Sequence, residues 1–216
     1  MKLGSIVLGL GLCLLGVARA ATVEEVLSRL ERAEKEISTL QFDFTQETTV
    51  SIGGRGSETR GTAIFQRPNR FRVNQTAPEA QAFVSNGKQF WVHLIDRGQV
   101  LKDSMDNWAR FAGFPQGLTP FQMSVNQMKK KYAFSLVDVE GEKVLSLTPK
   151  TATDFSYTLR LWVDMETGVA KKTELASENV TAVVSVRDVK INPRVDAGAF
   201  RFVPPEGTEV LEMPLH

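Results

Sequence analysis

At 216 residues, 42% of them hydrophobic and 24% charged, the chain has the make-up of a single domain with a sizeable core. Its 26 Lys+Arg against 25 Asp+Glu leave no basic footprint for nucleic acid, and its one cysteine rules out a disulfide framework. Met1 to Ala20 has a basic start at Lys2, an apolar run from Leu3 to Val17 and an Ala18-Arg19-Ala20 ending, the pattern of a secretory signal peptide cleaved after Ala20. The run is shorter than the roughly 20 apolar residues that a spanning helix needs. Cys13 lies inside it, preceded by Leu12 where lipid attachment would want a small residue. Cleavage also removes Lys2 and Arg19, so 26 basic residues become 24 against 25 acidic ones, a formal charge of −1. A mature chain without a thiol must hold by its core alone.

Thr22 and Glu25 have capping-box spacing, and Val23, Val26, Leu27, Leu30, Ala33 and Ile37 recur at helical intervals. An amphipathic helix is expected from about Val23 to Ile37, its charged outer face carrying Glu24, Arg29, Glu31, Arg32, Glu34, Lys35 and Glu36. From Gln41 to Lys102 the period falls to two, with Gly53-Gly54, Pro68-Asn69, Asn86-Gly87 and Arg97-Gly98 as punctuation. Strands so close together, with no helix between them, pair antiparallel, and a meander of about six is expected. Asn86-Gly87 is the strongest hairpin signal. Pro68 fixes its own φ and holds Arg67 out of the helical region, between extended segments at Gly61 to Phe65 and Phe71 to Asn74.

Asp103 to Lys131 breaks the pattern with Trp108, Phe111, Phe114, Leu118, Phe121, Met123, Val125 and Met128, interrupted by Gly113, Pro115 and Gly117. One short helix, a loop and a second helix opening near Thr119-Pro120 are expected, forming either a core plug or a mobile lid. Lys129-Lys130-Lys131 reads as a solvated helix C-terminus. Strands return at Phe134–Val139, Val144–Thr148, Tyr157–Val163, Val169–Leu175 and Ala182–Ile191. A one-residue slip of the apolar phase in the last is the mark of a β-bulge, and a short final strand is expected at Phe200 to Val203. The sum is a mainly β (α+β) fold: an incompletely closed antiparallel barrel of about eleven strands, with helices covering the open side, in one domain from residue 21 to 216.

Chemistry is scarce. His93 and His216 are the only histidines, so no nucleophile triad is in view, and no His, Asp or Glu cluster has metal-ligand spacing. Gly53-Gly54-Arg55-Gly56 follows a strand and reads as a hairpin tip, with no helix behind it to cradle a phosphate. Neither an enzyme nor a cofactor is expected, although carboxylates that meet in space are invisible in a sequence.

Arg67-Pro68, Phe71-Arg72, Pro78, Gln81, Asn86-Gly87 and Trp91, followed by Phe200-Arg201-Phe202-Val203-Pro204-Pro205-Glu206-Gly207, resemble in order and spacing the LolA family of periplasmic lipoprotein carriers. The resemblance spans nearly all of the mature chain except Asp103 to Lys131. Val73 departs from it, since relatives often carry an aromatic residue after the Phe-Arg pair. The resemblance implies the same half-barrel in the periplasm, a monomer with no cofactor. Acylated lipoproteins would be its cargo, taken from an inner-membrane lipoprotein-releasing ABC transporter and passed to an outer-membrane acceptor lipoprotein.

It also implies that the middle segment is a lid. Arg67 would hydrogen-bond backbone carbonyls of the first helix, near Leu30, and of the middle helical segment, a task suited to a permanently charged fork of five donors. Phe42, Phe44, Phe71, Phe83, Phe90, Trp91, Phe121 and Met123 are the expected cavity wall, with plain core packing as the other reading. Three alternatives stay open: a periplasmic lipoprotein sensor regulating a signalling partner, for which the chain leaves no room for a second domain; a membrane-anchored acceptor; and a carrier of another apolar molecule.

Overall fold

The computed structural model describes residues 21–51, 53–54, 56–105, 107, 114–151 and 156–212. The expected signal peptide, Cys13, Trp108, Phe111 and His216 lie outside the described residues. Helix α1 (Val23–Glu36) opens with a complete capping box: Thr22 accepts from the Glu25 N–H and the Glu25 side chain accepts from the Thr22 N–H. Its apolar stripe lies on the concave face of the sheet, with Val26 and Ala33 fully buried.

Strands β1 (Thr39–Val50), β2 (Gly56–Gln66), β3 (Arg70–Ala77), β4 (Gln81–Asn86), β5 (Gln89–Leu94) and β6 (Gln99–Ser104) form the six-strand meander. Helix α2 (Val125–Lys131) leads into a second meander of β7 (Tyr132–Val139), β8 (Glu142–Pro149), β9 (Tyr157–Val163), β10 (Ala170–Ser177) and β11 (Val180–Ile191). Antiparallel pairing of β1 with β11 joins the halves into one sheet, and β7 and the last strand sit at its two ends. The barrel is therefore incompletely closed. The expected bulge falls in β11, where the register slips between Arg187 and Lys190 opposite Gln41 to Asp43 and Asp188 takes φ 52°.

Three expectations change. The described residues form twelve strands, and the last, β12 (Glu209–Glu212), pairs parallel with β6. Its four side chains are all exposed, so it carries no alternation to read. Phe200 to Val203 is not a strand, because Phe200 ends a 3₁₀ turn (Ala197–Phe200) and is buried near β3 and β4 on the convex face. Asp103 and Ser104 belong to β6, and α2 opens at a Ser124 capping box, with Thr119-Pro120 inside a separate 3₁₀ turn (Gln116–Gln122).

Apolar side chains fill the concavity in two clusters among the described residues. One gathers the phenyl rings of β1 to β5, and the other gathers Leu145, Leu147, Leu159 and Leu161 beneath the N-terminal half of α1. Because alternate strand residues face opposite sides, Trp91 and His93 point outward, where both rings lie against Phe202, at 6.0 and 5.8 Å between centroids. Arg72 secures that C-terminal segment, its Nε donating to the Ala199 carbonyl at 2.6 Å and its Nη2 to the Arg201 carbonyl at 3.3 Å. Burial pushes the Arg72 guanidinium below its ordinary value.

Candidate functional site: a latched cavity at the barrel mouth

Arg67 sits in the three-residue turn between β2 and β3, beside the C-terminus of α1. The turn is held from below: the hydroxyl of fully buried Ser85 donates to the Asn69 carbonyl at 2.8 Å, and Asn69 itself takes φ 118°. Nothing in the sequence singled out Ser85. The Arg67 backbone N–H donates to the Ser38 carbonyl at 2.9 Å, and its Nε donates to the Ile37 carbonyl at 3.2 Å. The guanidinium thus meets the first helix at its C-cap and not near Leu30, because the turn lies level with the end of α1. Leu30 lies deeper, in the wall of the cavity that Arg67 overlooks.

The link to the middle segment is also indirect. Arg67 Nη1 lies 3.8 Å from Glu34 Oε1, while Glu34 Oε2 accepts from the Val125 N–H, in the first turn of α2, at 2.8 Å. One carboxylate on α1 therefore touches both the arginine and the second helix. A second bridge joins Lys129 to Glu31, and this hydrogen bond holds the Glu31 carboxyl below its usual range. A lowered carboxylate pKa means the attraction is complete above the ordinary value and fades only as pH falls through the lowered one. Replacing Glu34 by Ala leaves the Val125 N–H without this acceptor. Hydrogen bonds to a charged group contribute about 1.5–3 kcal/mol, so amide exchange at Val125 is expected to rise about tenfold or more. Unchanged protection by hydrogen-exchange mass spectrometry would remove Glu34 from the latch.

The far side of α1 is anchored more firmly. Asn192, at φ 51°, donates through Nδ2 to the Glu36 carbonyl at 2.8 Å, and its Oδ1 accepts from the Ser38 and Thr39 N–H groups at 2.8 and 3.1 Å. Arg29 Nε donates to the Met165 carbonyl at 3.1 Å, and Arg29 Nη2 donates to the Glu166 carbonyl. In the same β9–β10 turn Gly168, at φ +71°, lies so close to α1 that a Cβ would come within 2.6 Å of the Ala33 Cβ.

Between α1, the Arg67 turn and the segment from Pro120 to Lys130 lies a cavity of about 490 Å³. Leu30, Ala33, Ile37, Leu40, Phe65, Phe121, Met123, Met128 and Leu161 supply its apolar wall, and Arg67, Glu34, Gln66 and Gln127 supply a polar rim. Of the expected wall residues, Phe121 and Met123 line it. Phe42, Phe44, Phe71, Phe83 and Phe90 do not: they are 0–2% exposed and form a solid floor, and Trp91 faces the other side of the sheet.

The middle segment explains that floor, because it is core plug and cavity roof in succession. Phe114 stands edge-on to Phe71 and Phe83, at 5.6 and 5.5 Å between centroids, and fills the barrel centre. Gly117 follows it, its N–H donating to Gln46 Oε1 at 3.3 Å and its carbonyl accepting from Thr173 Oγ1 at 2.7 Å. Beyond this pinned turn Phe121 stacks on Phe65, at 6.0 Å and 3°, and the chain becomes cavity roof. The arrangement provides a largely apolar, partly open cavity with hydrogen bonds across its rim.

A family model described as outer membrane lipoprotein carrier protein LolA matches residues 35–203. An outer-membrane lipoprotein carrier protein of Alkalilimnicola ehrlichii is 32% identical over 208 residues, covering 94% of this chain and 92% of its own. One of the same name from Pseudomonas aeruginosa is 30% identical over 215 residues, covering 95% of this chain and 94% of its own. Among solved structures, an uncharacterized conserved protein from Thermus thermophilus superposes with a TM-score of 0.57 at 14% identity, covering 88% of this chain and 98% of that one, which shows a shared fold.

Proposed function

This chain belongs to the outer membrane lipoprotein carrier family, LolA, and from that premise we propose that it carries the acyl chains of lipoproteins across the periplasm. The observation that carries this reading is the largely apolar cavity of about 490 Å³ beneath α1, bordered by Arg67, which is bonded to Ile37, and by Glu34, which is bonded to Val125. Such a volume falls in the range of pockets for small apolar ligands, about 300–1,000 Å³.

In this reading lipoproteins are received from an inner-membrane releasing ABC transporter and passed to an outer-membrane acceptor lipoprotein, with a cleaved signal peptide directing export. No bond is made or broken. Transfer runs by affinity: loading lifts the lid, and the return of the latch bonds favours release. Native mass spectrometry of the protein purified from its own periplasm tests the proposal. Co-purified acylated lipoproteins are expected; a preparation carrying only a different lipid class would replace this reading with a carrier for that lipid.

A further inference from the structure

Strand β7 is the outermost strand at one end of the sheet. At the other end β12 is only four residues long and has a glutamate at each terminus, Glu209 bonded to Gln99 and Glu212 beside Lys102, which blunts that edge. β7 has no such device. Its eight residues contain no proline, glycine or lysine, and its register with β8 runs without a bulge. The Lys150 N–H donates to the Lys131 carbonyl at 2.9 Å, so the odd-numbered residues of β7 exchange backbone bonds with β8 and the even-numbered ones turn theirs outward. The Tyr132 N–H is taken by the Met128 carbonyl at the end of α2. The outward set is then the N–H groups of Phe134, Leu136 and Asp138 and the carbonyls of Tyr132, Phe134, Leu136 and Asp138, and no described strand pairs with them.

We infer that a second copy of this chain covers the edge, two β7 strands pairing antiparallel about a two-fold axis at Ser135. Charge selects this occupant and this direction. Each strand follows Lys129-Lys130-Lys131 and leads through Asp138 to Glu140, so antiparallel pairing sets the basic end of each copy against the acidic end of the other. Parallel pairing would set like against like. Lys129 and Asp138 already engage Glu31 and Lys143, and the exposed Lys130, Lys131 and Glu140 supply the complementarity. Outward groups must meet outward groups, and the register that uses all four residues puts Phe134 opposite Leu136 of the other copy and Tyr132 opposite Asp138. Three bonds and their symmetry mates result. Phe134 and Leu136 pack inward, so exposed Ser135 faces its own counterpart on the convex side. No residue of β7 lines the main cavity, so the pairing leaves it accessible, and the inference is independent of the carrier reading. A contact of one strand edge is smaller than the roughly 1,200 Å² of stable complexes, which makes the dimer weak and reversible. The monomer expected from the family resemblance is its dissociated form.

Cross-linking tests the register. In a Cys13→Ala background, Ser135→Cys holds the only thiol. Antiparallel partners that exchange no backbone bonds stand about 4.5 Å apart between Cα atoms, within disulfide reach, whereas Ala133 would lie more than about 12 Å from its counterpart. Mild oxidation of the full chain is expected to link Ser135→Cys about tenfold faster or more than Ala133→Cys. In sedimentation velocity the mass of the wild-type chain is expected to rise with concentration toward twice that of the monomer. Ser135→Lys, which sets two like charges face to face at an exposed position, is expected to stay monomeric with an unchanged Tm. A wild-type mass that stays that of one chain up to roughly 1 mM would overturn the dimer, as would equal cross-linking of the two thiol variants. So would a monomer whose Phe134 and Leu136 amides become protected from exchange only when an acylated lipoprotein is added, which would assign the edge to the cargo polypeptide.

Discussion

Arg67→Leu is expected to bind lipoprotein at least tenfold more tightly than the native protein and to transfer almost none of it. Burying a methylene contributes about 0.8 kcal/mol, so one 16-carbon chain gains roughly 12 kcal/mol, and three fully enclosed chains would pass the ceiling of non-covalent affinity. Release therefore depends on an empty state that competes with the loaded one. The bond from Arg67 Nε to the Ile37 carbonyl, in which the donor carries a full charge, is the contact that would hold such a state together. Such bonds contribute about 1.5–3 kcal/mol, a factor of roughly ten to a hundred in the loaded-to-empty ratio. The 3.8 Å contact with Glu34 adds little, because 41% of the Arg67 side chain is exposed. Leucine removes the donor and adds apolar wall, so both changes act in one direction. A reconstituted assay with an acceptor protein decides: undiminished hand-over by Arg67→Leu means the arginine is not the latch.

Gly117→Val is the second large effect, and it separates plug from lid. A Cβ on Gly117 would lie 2.3 Å from Val184 Cγ2 and 3.3 Å from Thr173 Oγ1, both of them fully buried residues. Overpacking costs about 1–3 kcal/mol, and displacing the turn would also break the buried bonds to Gln46 and Thr173, so a loss of about 3 kcal/mol or more is expected. In a domain of this size that lowers Tm by roughly 6–12 °C. Differential scanning calorimetry measures it. A variant with native Tm would mean that Phe114 to Leu118 moves as freely as a lid, and the barrel centre would then be available to ligand.

What the sequence revealed was local. The Thr22/Glu25 box, the Asn86-Gly87 turn and the two-residue period of β1 to β5 are set by neighbours within a few positions, and they stand in the structure where the pattern puts them. The cavity wall was not local. Phe42, Phe44, Phe71, Phe83 and Phe90 sit on the concave face as their alternation requires, but whether that face is hollow depends on where Phe114 inserts. Glu34 looked like one more charge on the solvent side of a helix. Its role arises only because α2 begins beside it, and no spacing within α1 encodes that. Arg72 was part of the family resemblance, yet its grip on two carbonyls, 127 and 129 positions away, is legible only in space.

The uneven fastening of α1 has a mechanical consequence. Asn192 and Arg67 pin its C-terminal end to the sheet and Arg29 steadies its middle, whereas its first turns rest on Val23, Val26 and Leu27. A rod of 14 residues is about 21 Å long. With Asn192 as the hinge pin and Arg67 as the catch, undoing the catch frees the edge of the rod that overlooks the cavity, while its first turns stay held by apolar contact alone.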